Sequence, residues 1–94
     1  MHARLVRFSF GPGKRAVAEG IAGDVAPKIA ELPGCAGVTV FGDDSDGEYG
    51  LFVLWDTETH ANEAAATIRP QLNEAISPHL QGAVDARLFE VISK

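Results

Sequence analysis

Few side chains in this sequence can do chemistry near neutral pH. His60 and His79 are the candidate bases. Arg7 and Arg87 could hold an anion or stabilise a developing negative charge, and Trp55 could stack on a flat ligand. The two histidines do not easily share a site: continuous helix between them would set them about 28 Å apart unless it bends sharply at Pro70. His79 is the better candidate base, because the topology derived below puts it at a pocket mouth, while either His also fits a solvated helix end. Cys35 fits a small core residue. GPG (11–13) lacks the spacing and the Lys-Ser/Thr of a phosphate loop.

Composition narrows the classes. With 94 residues, one domain with a modest core is expected. Apolar residues make up 46% and charged ones 22%, as in ordinary soluble proteins. Thirteen acids against eight Lys and Arg give a net charge of −5, which argues against a nucleic-acid partner. No apolar run approaches the roughly 18 residues of a membrane span, and MHARLVRFSF does not read as a signal peptide. A lone cysteine excludes an internal disulfide and makes a reducing cytoplasm the expected compartment. One Cys and three scattered His offer no zinc spacing, and no metal or organic-cofactor motif is present.

The elements that must position these residues follow from periodicity. ARLVRFSF (3–10) alternates, with Val6, Phe8 and Phe10 on one face and Leu5, Arg7 and Ser9 on the other. Val17, Ile21, Val25, Ile29 and Leu32 then recur at helical spacing, with a kink or restarted turn expected at Pro27. GVTVF (37–41) reads as a second strand, GDDSDGEYG (42–50) as a hairpin loop, and LFVLW (51–55) as a third strand. Thr57 is a plausible N-cap for a second helix. Its stripe runs Ala61, Ala64, Ala65, Ile68, Leu72, Ala75, Ile76 and Leu80, with a kink expected at Pro70 and an end at Pro78. The alanines would let it lie close to a sheet. AVDARLFEVIS (83–93) completes the set as a fourth strand.

The order βαββαβ predicts an α+β, ferredoxin-like fold: a four-stranded antiparallel sheet of order 4-1-3-2 with both helices on one face. LFVLW is then central yet apolar on both faces, and one chain has helices for only one of them. A second copy of the same sheet is the expected cover, which predicts a homodimer in which Val53 or Leu54 meets the partner. The same parity puts Arg7 and Arg87 together on adjacent strands, facing the barrel. There they converge on an anionic or enolate-like ligand, or form ion pairs with Asp85 or Glu90. Trp55 is either core or a pocket wall.

ELPGCAGVTV (31–40), followed by VLWDTETHANEAA (53–65), resembles the antibiotic-biosynthesis-monooxygenase family over nearly the whole chain. The resemblance implies a dimeric α/β barrel with a pocket between sheet and helices. It also implies the chemistry of some members, cofactor-free oxidation of aromatic polyketides or degradation of haem. Haem-degrading members carry an Asn on the first strand and a Trp within the second helix, which this chain lacks. Aromatic-oxidising members share the strand Trp but have an Asn where this sequence has Leu51. Two functions are therefore expected: binding of a small anionic aromatic ligand, non-catalytic or of unassigned activity, or cofactor-independent oxygenation of a phenol, quinol or polyketide-like substrate with His79 or a water as base.

Overall fold

The alternation of Val6, Phe8 and Phe10 is realised in a strand, β1 (His2–Ser9), that lies at the centre of the sheet. The computed structural model describes residues 1–94. After β1 come helix α1 (Arg15–Ala30), strands β2 (Cys35–Asp43) and β3 (Glu48–Trp55), helix α2 (Glu58–Ile76), a 3-10 turn (Ser77–His79) and β4 (Asp85–Glu90). The sheet order is β2-β3-β1-β4 with every pairing antiparallel, the expected 4-1-3-2 arrangement read from its other edge. The fold is ferredoxin-like. No helix is long and apolar enough to cross a membrane.

Register decides which side chains share a face, because residues directly opposite in an antiparallel pair point the same way. Val6 pairs with Leu51, and Phe8 with Tyr49; all four are buried in the core with Val25 and Ile29 of α1 and Leu72 and Ile76 of α2. Val53 belongs to this helix-covered set at 3% exposure. On the opposite face Leu5 pairs with Phe52, and Ala3 with Leu54. Leu54, with Phe52, is therefore the residue of the third strand that looks away from the helices.

The hairpin is tighter than its composition suggests. Glu48, Tyr49 and Gly50 join the ladder, so only residues 44–47 form the turn. Tyr49 is the reason: its ring is buried against Phe10, and its hydroxyl donates to Asp44 Oδ1 at 3.4 Å.

Both helices run on through their internal prolines, so the turn does not restart at Pro27, one of the two outcomes expected there. Both prolines are exposed, so the backbone carbonyls left without a donor can be hydrated. Thr57 does cap α2, its Oγ1 accepting from the His60 amide at 3.1 Å, and Glu58 occupies the first turn. α2 ends at Ile76, with Pro78 inside the 3-10 turn that follows.

Candidate functional site

A cavity of about 260 Å³ lies between the sheet and α2. Its floor is Val6, Leu51, Val53 and Trp55, and its roof includes Ala61, Ala65, Ile68 and Leu72. The small side chains of the roof create it. Part of the alanine stripe faces open space rather than resting on the strands, so the helix leaves a gap where larger residues would have filled it. Trp55, 3% exposed, is at once core and cavity wall, and the two readings of this residue merge.

Three polar side chains line the cavity: Arg4, Arg69 and Asn73. Arg4 shares strand parity with Val6 and Phe8, which turns it toward the helices. Its Nη2 donates to Asn62 Oδ1 at 3.1 Å and to the Ala61 carbonyl at 3.4 Å. Its Nε is buried without an acceptor. Burial, and after it the nearby Arg69 charge, pushes the Arg4 guanidinium below its usual value. Arg69 and Asn73 follow Ala65 at intervals of four along α2, one row of side chains.

The residues singled out in the sequence separate. Trp55 lines the cavity; Arg7 and Arg87 do not. Both lie on the uncovered face of the sheet, Arg7 opposite Gly50 and Asp85, Arg87 opposite Leu5. Arg7 is not paired with Asp85 or Glu90. Its Nε donates to Glu48 Oε1 at 2.8 Å, and its Nη2 reaches the same oxygen. Glu48 was hidden from that pairing because it read as loop. Arg87 stacks on the Phe89 ring, 4.8 Å from its centroid. His79 sits in the 3-10 turn, its ring 5.6 Å from that of Phe10, and does not line the cavity.

At the opposite end of α2, His60 Nδ1 lies 2.6 Å from Asp56 Oδ1. Gly34, at φ +84°, passes so close that a Cβ there would collide with Asp56 Oδ1. The hydrogen bond with His60 holds the Asp56 carboxyl below its ordinary value of 3.8. A depressed carboxylate pKa stabilises the fold above its unfolded value, and that stability is lost as pH falls through the folded one. Asp56→Asn should therefore melt below wild type above about pH 4, with the gap closing at lower pH. Melting temperatures of both proteins across pH 2–7 check this; a gap unchanged at pH 2 would contradict it. No group of three His, Cys, Asp or Glu side chains is placed to hold a metal ion.

Arg4, Arg69 and Asn73 were missed in the sequence. The signal for Arg4 was available, since it is two residues from Val6 in a strand of period two. Arg69 and Asn73 flank the apolar stripe of α2, where polar residues ordinarily read as solvated.

No protein-family model matches the sequence, and no curated protein matches it. Solved structures do. The chain is similar to an antibiotic biosynthesis monooxygenase at 17% identity and a TM-score of 0.81, covering 99% of this chain and 100% of that one. It is similar to Rv0793 from Mycobacterium tuberculosis at 15% identity and a TM-score of 0.82, covering 99% and 96%. It is also similar to SnoaB, a cofactor-independent oxygenase from Streptomyces nogalater, at 21% identity and a TM-score of 0.79, covering 99% and 94%. At these identities the shared property is the fold of the antibiotic biosynthesis monooxygenases, the one the sequence resemblance implied.

Proposed function

We propose that this chain is the subunit of a homodimeric α/β barrel that binds a small, flat, anionic ligand between its sheet and helices without transforming it. One observation carries the binding reading. The cavity is walled by Trp55 and aliphatic side chains, and its polar groups are two guanidinium groups and one amide. Neither a guanidinium nor an amide takes up a proton near neutral pH, so the cavity offers anion recognition without a general base. A volume near 260 Å³ suits one or two aromatic rings rather than a larger polycycle.

The dimer reading rests on the uncovered sheet face. Phe41, Phe52 and Phe89 stand about 40% exposed there beside Leu5 and Leu54, and Arg7, Glu48, Asp85 and Arg87 lie alongside. Such an arrangement, apolar at its centre with charges around it, fits a self-complementary interface. Arg7 and Arg87 belong to that interface in this reading. The single cysteine suits a reducing compartment such as the cytoplasm.

A second reading, cofactor-independent oxygenation, is favoured by the fold shared with SnoaB. A phenol would lose its proton, and its anion would reduce oxygen, keeping one oxygen atom as a quinone carbonyl and releasing the other as water. Against it stands Leu51 in the cavity floor, at the position where the aromatic-oxidising resemblance calls for Asn. An oxygen electrode with 1-naphthol separates the readings. Raised melting temperature without oxygen uptake above the protein-free rate is the expected result. Protein-dependent uptake with one quinone formed per oxygen would establish turnover instead.

A further inference from the structure

The geometry points to Arg4 and Arg69 as a two-guanidinium anchor for the carboxylate of an aromatic monocarboxylic acid whose ring lies against Trp55. This rests on the reading of the cavity as a ligand site and names what that site selects. In a chain where acids outnumber bases thirteen to eight, two arginines from different elements line one cavity, and neither pairs with a carboxylate. The ion pairs of the protein fall elsewhere, on His2, Arg7, Arg15, Lys28 and His60.

Arg4 is also under-satisfied. A guanidinium has five N–H donors; the Arg4 Nη2 serves two neutral oxygens, and its buried Nε serves none. The charge of Arg69 bears on it directly, in the direction that disfavours both being cationic with nothing between them. An anion placed between the two relieves that repulsion and supplies a planar acceptor for a forked donor. The remaining lining decides the rest of the ligand. Val53, Ile68 and Leu72 offer no hydrogen bonds and Trp55 only its one indole N–H, so a bare inorganic anion would leave most of the cavity unused, whereas an aromatic body fills it.

The test is calorimetric titration with 2-naphthoate, its neutral isostere 2-naphthamide, and inorganic phosphate. Wild type should bind the acid at least about tenfold more tightly than the amide, and phosphate more weakly still. Arg4→Gln and Arg69→Gln should each weaken the acid about tenfold and leave the amide unchanged. Arg69 is exposed, so its variant is informative even if Arg4→Gln fails to fold. Equal binding of acid and amide would overturn the anchor while the cavity stands as a ligand site. Absence of binding by both would overturn the cavity reading and the anchor together. An acid preference that survives in Arg69→Gln, or phosphate binding as tightly as naphthoate, would also overturn the anchor.

Discussion

Phe52→Asp is expected to turn the proposed homodimer into monomers at micromolar concentration. Phe52 sits near the middle of β3, an inner strand, with Leu5 and Thr39 opposite it on the neighbouring strands and no helix over it. Phe52 is 39% exposed, and covering that remainder is worth about 1 kcal/mol, which a two-fold interface counts twice. Aspartate forfeits that gain and adds a charge whose desolvation costs several kcal/mol at each of two symmetry-related positions. Phe41 packs across Gly50 on the same face, so the loss falls in a continuous apolar surface rather than at an isolated contact. Light scattering should report a dimer for wild type and a monomer for Phe52→Asp, the latter binding a hydrophobic dye more strongly. A monodisperse wild-type monomer would refute the pairing. The matching change at Val53 is expected to unfold the chain instead, since that side chain lies under the helices.

Trp55→Ala should cost about 3–5 kcal/mol of stability. The side chain is 3% exposed at the end of β3, opposite His2 and Cys35, and packs into the core with Val53, Ala61 and Ala64. Its removal joins a new void to the existing cavity, which the short alanines of α2 cannot close. Against a total of about 5–15 kcal/mol for a domain, the loss is severe, and Trp55→Phe should recover much of it. Denaturant unfolding measures the change. Wild-type emission should be blue-shifted, because this is the chain's only tryptophan and water does not reach it. A red, water-like maximum in the folded protein would contradict its placement.

The sheet was legible because strand parity is a strong signal wherever one face is covered. Val6, Phe8 and Phe10 identified the helix side of β1, and the run from Leu51 to Trp55 identified a strand with two apolar faces. The helices were legible through the spacing of Val25 and Ile29 and of Leu72 and Ile76. Parity said less about how far strands extend. Glu48 and Tyr49 look like loop until Tyr49 is seen buried against Phe10 with its hydroxyl on Asp44, and the extended ladder also brings Glu48 to Arg7.

The site was less legible, for a different reason. Arg7 and Arg87 do share a face, as the pattern implied, but it is the face away from the cavity. A cavity is a deficit of side-chain volume, and the alanines that create one read in sequence as close packing. Arg4 follows the same alternation as Val6, but an arginine beside apolar residues looks like a strand end in water. Only the approach of α2, which brings Ala61 and Asn62 to its guanidinium, turns it into part of a wall.

The most direct measurement is the single indole N–H cross-peak of Trp55 in a two-dimensional 15N-1H NMR spectrum during titration with 2-naphthoate. Binding between the sheet and the helices predicts a saturable shift of that peak, accompanied by the amides of Val53, Ala65 and Arg69. Saturation that leaves the indole peak in place and moves the amides of Leu5, Arg7 and Arg87 would put the ligand on the opposite face of the sheet and contradict the cavity as the binding site.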